Sequence, residues 1–141
     1  MNSVPDSPVT GLLPPFLRSA AVLFLAAGGL HVALGLQADV LLGAMVSTET
    51  QIDAGLDSQN RFYGGCFMAY GLLLWLSAAD LKRYAPVVRT LLWVLLGAGL
   101  VRFISVWKFG WPPFYIGVLF ALEVGIPPLV LIWLGRLRFS A

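Results

Sequence analysis

Charge is scarce in this chain: 11% of its 141 residues are Asp, Glu, Lys or Arg, against about 25% in an ordinary soluble domain. So little charge does not cover a water-facing surface, and the 59% apolar content and mean hydropathy of +0.85 agree. The chain therefore reads as an integral membrane protein. Cysteine is nearly missing as well, and the single Cys66 excludes an intramolecular disulfide and reads as a small buried residue. There is one histidine, His31, so no His-rich metal centre is available. A site built from His31, Glu123 and Cys66 would need a thiolate at a depth where Cys66 does not lie, so neither a metal nor a cofactor is expected. Also missing are a phosphate-cradling glycine loop between strand and helix, a nucleophile elbow and a cysteine pair. Catalysis has no support in the sequence.

What the chain does have is four long apolar runs, over about 16–37, 62–79, 87–107 and 114–133. Each is close to the roughly 20 residues that cross ~30 Å of hydrocarbon at about 1.5 Å per residue. Lipid satisfies no backbone polar group, so such runs are helices; barrel strands would be about half as long and would alternate in polarity. The expected fold is all-α, an antiparallel bundle of four transmembrane helices. It forms one domain over 16–135, between a cytoplasmic tail at 1–15 and another at 136–141. A signal peptide is the other reading of the first run, since Arg18 precedes it and Ala26, Ala27 and Gly28 are small. The leader is long and proline-bearing, however, and the run is kept as a helix.

Orientation follows the basic residues. Arg18, then Lys82, Arg83 and Arg89, then Arg136 and Arg138 share one side, against Lys108 and the helix-edge Arg61 on the other. The positive-inside rule places both termini in the cytoplasm of an inner membrane. The net charge of +2 therefore reflects topology and not nucleic-acid binding. The first loop, 38–59, is acidic and expected on the outer side. Trp107, Phe109, Trp111, Phe114 and Tyr115 gather at the outer turn, while Trp75, Tyr84 and Trp133 mark inner ends, as rings at headgroup level do.

Against this frame the intramembrane polar residues stand out. Glu123 lies near mid-depth in the fourth run, where an Asp costs roughly 2.5 to 3.5 kcal/mol on insertion scales. His31, Asn60, Arg61, Arg102 and Ser105 fall in the outer half of the other runs. Small neighbours flank them: Ala27 and Gly35, Gly64 and Gly65, Ala98 and Gly99. Such residues let membrane helices approach, so the six polar residues are expected to face inward as one cluster, with Arg102 the partner of Glu123 and Arg61 a second cation. Pro127 and Pro128 deprive the Glu123 and Val124 carbonyls of their helical donors, and a kink is expected beside the carboxylate. The cluster reads either as an ion pair that fixes helix register or as a ligand site, whose positive surplus would suit an anionic head group or a carbonyl.

Asn60-Arg61-Phe62-Tyr63-Gly64-Gly65, the later Gly99-Leu100-Val101-Arg102-Phe103-Ile104-Ser105, a short proline-containing outer turn and Glu123 ahead of a proline together resemble the bacterial four-helix membrane family known as domain of unknown function 4345. The resemblance covers nearly the whole chain from about Phe16 onward. It implies a compact four-span inner-membrane protein in which the Asn-Arg-Phe, Arg-x-x-Ser and Glu positions recur, and it carries no activity. A looser similarity to DoxX-like proteins, some tied to quinone or sulfur redox chemistry, implies by analogy a redox-accessory role. Three functions are consistent with these readings. The first is a membrane protein binding a lipid or amphipathic small molecule, alone, as a homo-oligomer or as an accessory subunit of a complex. The second is a proton-coupled transporter, and the third a purely structural module.

Overall fold

The computed structural model describes residues 8–136, and among them it is helical throughout, with no strand. Six helices follow in order: α1 (Pro8–Leu34), α2 (Gln37–Leu41), α3 (Thr48–Gln51), α4 (Ala54–Ser77), α5 (Leu81–Phe109) and α6 (Phe114–Arg136). Three of them, over Gly11–Leu34, Leu81–Phe109 and Phe114–Arg136, are long and apolar enough to cross a membrane. The expected span at 62–79 falls on α4 up to its end at Ser77, but in this helix of 24 residues Asp57, Asn60 and Arg61 in the opening turns keep it below that apolarity.

α1, α4 and α5 begin earlier than their apolar runs, while α6 begins with its own at Phe114. Asp53 caps α4 by accepting from the Leu56 amide at 2.8 Å, and Asp80 caps α5 by accepting from the Arg83 amide at 3.0 Å. Each cap supports polar first turns that hydropathy alone leaves outside the helix. α1 likewise includes residues 8–15, expected as tail, because Leu13 is fully buried and packs in the core. The rest of the expected N-terminal tail, and the C-terminal tail with Arg138, lie outside the described residues. α6 continues as one helix through Pro127 and Pro128. The acidic first loop holds α2 and α3, the latter capped by Ser47.

α1 and α4 touch backbone to backbone. A Cβ on Gly28 would stand 2.6 Å from the Gly64 carbonyl oxygen, one on Gly64 would stand 2.7 Å from the Gly28 oxygen, and one on Gly71 would stand 2.9 Å from the Ala21 oxygen. The contact recurs after one heptad on each helix, rising along one as it falls along the other, so the two run in opposite directions.

At the other end of the molecule, Leu13, Leu17 and Ala21 of α1 join Leu74 and Ala78 near the end of α4. Val88, Leu91 and Leu92 of α5 and Val130 and Leu134 of α6 complete the same buried cluster. Tyr70 donates to the Leu91 carbonyl at 2.8 Å, giving α4 and α5 a polar link beside it. Beyond this core the helices associate as two pairs, α1 with α4 and α5 with α6.

Candidate functional site

α5 reaches α6 closely because residue 99 is glycine: a Cβ there would lie 2.9 Å from the Glu123 Cβ. One turn further along α5, the Arg102 guanidinium meets the Glu123 carboxylate side-on. Nε donates to Oε2 at 2.5 Å and Nη2 donates to Oε1 at 2.9 Å. Such a planar, two-point pair fixes both side chains and neutralises both charges. The side chains are 34% and 16% exposed, and among the described residues neither has a further side-chain partner. Phe103 and Phe120, with rings edge-on at 4.7 Å, pack α5 against α6 a little nearer the turn.

Ser105 lies one turn beyond Arg102. A helix serine often turns back to the carbonyl four residues earlier, but among the described residues the Ser105 hydroxyl makes no hydrogen bond. Arg102 and Ser105 line one cleft of about 60 Å³, whose other walls are Val106, Ile116, Phe120 and the outer turn at Gly110 and Pro112. Gly110, at φ +85°, allows that turn and ends α5. The Trp111 indole packs over Gly117, where a Cβ would stand 3.2 Å from the ring nitrogen. The cleft thus has donors at one end, apolar walls and a turn above it. It has room for one functional group with its water, well below the roughly 300 Å³ of a full ligand pocket.

The pair, the serine and the cleft all fall within residues 15–134, over which the family model described as Domain of unknown function (DUF4345) matches. The chain belongs to the DUF4345 family. No curated protein and no solved structure matches it. The family's description assigns no activity, so function in this DUF4345 member is argued from the site.

Of the other residues expected in the cluster, the structure places none beside Arg102 and Glu123. Arg61 bonds Asp57, one turn before it, through Nε at 2.8 Å, and its Nη1 donates to the Val32 and Ala33 carbonyls at 2.7 and 3.0 Å. Those are carbonyls of the last turn of α1, which have no helical donor. Asp57 in turn accepts from the Leu36 amide at 3.2 Å. Gly35, at φ +57°, makes the corner, and any Cβ there would run into the Asp57 carboxylate. Arg61 and Asp57 therefore clamp the end of α1 to α4. The positive surplus expected at Glu123 does not arise, because Arg61 is engaged elsewhere.

His31 is buried and sits apart from both groups. Its Nδ1 donates to the Ala27 carbonyl at 2.8 Å, and its Nε2 faces Asp39 Oδ1 at 3.4 Å across the corner between α1 and α2. Asn60 donates to the Leu56 carbonyl of its own helix at 3.3 Å. The partner of Arg61 could have been found from sequence, since Asp57 stands four residues before it, the spacing that pairs side chains on one helix face. The partner of His31 and the walls of the cleft had no such signal.

The clamp has a consequence for acid stability. The hydrogen bond from Arg61, and then that from the Leu36 amide, hold the Asp57 carboxyl below its ordinary range. A carboxylate with a depressed folded value stabilises above the unfolded value and loses that contribution as pH falls through the folded one. The protein in detergent is thus expected to lose thermal stability as pH drops below about 4. Asp57→Asn should be less stable at neutral pH and lose less over the same acid range. Equal acid slopes for the two proteins would contradict this.

Proposed function

We propose that the chain is a four-span inner-membrane protein, with both termini in the cytoplasm, that holds an amphipathic small molecule between α5 and α6 at Arg102 and Ser105. The carrying observation is the pairing of donors unused among the described residues in one small cleft: the rest of the Arg102 guanidinium and the Ser105 hydroxyl. In hydrocarbon an unmet donor is costly, so donors left open beside a neutralised pair favour a guest that accepts from them.

Several features support the topology. The core joins the starts of α1 and α5 to the ends of α4 and α6, so a fourth span in α4 would return the chain to the correct side. Arg18, Lys82, Arg83, Arg89 and Arg136 would then share the cytoplasmic face. Trp107, Phe109, Trp111 and Phe114 are widely exposed at the opposite end, where outer headgroups would receive their rings. The proton-coupled alternative is less favoured. An exchanger's carboxyl must take up and release a proton, whereas Glu123 gives both oxygens to an arginine.

Ser105→Ala tests the binding reading, because the hydroxyl bonds nothing else among the described residues. Its melting temperature in detergent should match that of the wild type, while retention of a co-purifying amphipathic molecule, followed by native mass spectrometry, falls about tenfold, as loss of one hydrogen bond implies. Equal retention by the two proteins would count against the site.

A further inference from the structure

We infer that the molecule held at Arg102 and Ser105 presents an uncharged acceptor oxygen, the carbonyl of a ketone or ester on an apolar body, in preference to a carboxylate or phosphate. The inference rests on the binding reading above and concerns the chemistry of that site alone.

Charge decides it first. Arg102 and Glu123 neutralise each other through two hydrogen bonds, and the only other arginine expected nearby, Arg61, is bound to Asp57 and to α1 carbonyls. Lys108 does not line the cleft. An anionic guest would therefore place a second negative charge beside Glu123 with one guanidinium between them. Two carboxylates at one site disfavour each other's ionised form, and a net charge in a low-dielectric setting is strongly penalised. A neutral oxygen carries no such penalty.

Hydrogen-bond roles decide it next. A guanidinium has five N–H donors and no acceptor; two go to Glu123, and the others make no bond among the described residues. The Ser105 hydroxyl can add a further donor on the same side of α5, three residues along. Arg102 and Ser105 line the cleft and Glu123 does not, so the charged polar group that meets a guest is a donor alone and the matching guest group is an acceptor. Size points the same way. About 60 Å³ takes a carbonyl and its first neighbours, with Val106, Ile116 and Phe120 against the carbon body.

The test compares a saturated fatty-acid methyl ester with the free acid of equal chain length, titrated into the full chain in uncharged detergent at a pH well above the carboxylate range. The wild type should bind the ester at least about tenfold more tightly, Ser105→Ala should lower ester affinity about tenfold, and Glu123→Gln, which leaves Arg102 unneutralised, should reverse the preference toward the acid. Acid binding as tight as ester binding to the wild type would overturn the inference while leaving a binding site in place. Ester affinity unchanged in Ser105→Ala would overturn it too, and that arm stands even if Glu123→Gln fails to fold. Binding of neither probe by folded wild type would remove the binding reading and the inference together.

Discussion

Gly64→Leu is expected to abolish the folded protein, whereas Gly65→Leu leaves it folded. The two glycines are adjacent and equally acceptable in an apolar helix, yet they point to different places. A Cβ on Gly64 would press on the Gly28 carbonyl oxygen at 2.7 Å, the Val32 nitrogen at 2.8 Å and the His31 Cβ at 2.9 Å, while one on Gly65 would meet nothing within 4 Å. Backbone cannot move aside as a flexible side chain can. Overpacking typically costs about 1–3 kcal/mol, and a leucine here would force α1 and α4 apart along their whole contact, so about 3 kcal/mol or more is expected. The separation would also break the Arg61 bonds to the end of α1. Melting followed by circular dichroism in detergent, with size exclusion as a check, should separate the two variants sharply. Comparable stability would mean that α1 and α4 do not meet through these glycines.

The second large effect concerns the α5–α6 pair. Arg102→Met leaves the Glu123 carboxylate without its partner in an apolar setting, and Glu123→Gln leaves the guanidinium in the same position. Each single change is expected to destabilise by about 2–3 kcal/mol, below the roughly 3–5 kcal/mol of breaking a fully buried pair from one side, because the side chains are 34% and 16% exposed. The double variant, Arg102→Met with Glu123→Gln, should recover most of that loss, since it leaves no unmatched charge between the helices. Additive losses in the double-mutant cycle would show that the two side chains do not act as a unit.

The pairing of residues level across the short α5–α6 turn was legible from sequence, and rotation about the helix axis was not. Arg102 and Glu123 could be matched because the turn at Gly110 to Pro113 is so short that residues at similar distances on either side of it come level. Arg61 faces Asp57 and the last turn of α1 instead, and a difference of one residue rotates a helix position by about 100°. A composition-based reading has no access to that rotation. The same limit hides the cleft, whose walls Val106, Ile116 and Phe120 are ordinary apolar residues until the packing of α5 on α6 places them together.

Helix existence was legible for a different reason from helix ends. Apolar runs of this length have no other stable backbone in lipid, and the helices at α1, α4, α5 and α6 follow. The starts of α4 and α5 depend on single polar caps, Asp53 and Asp80, which lie outside the apolar runs and give hydropathy no signal. The glycine doublets were legible as packing positions, but which member of each doublet makes the contact depends again on rotation. Gly28 and Gly64 touch, while Gly29 and Gly65 meet nothing.

The most direct measurement of whether Arg102 and Glu123 serve binding, beyond holding α5 to α6, is the amount of amphipathic molecule that co-purifies with the double variant once its stability has been restored. If the donors of Arg102 hold a guest, Arg102→Met with Glu123→Gln should be folded and empty by native mass spectrometry, beside a loaded wild type. A double variant that is folded and as fully loaded as the wild type would contradict the site.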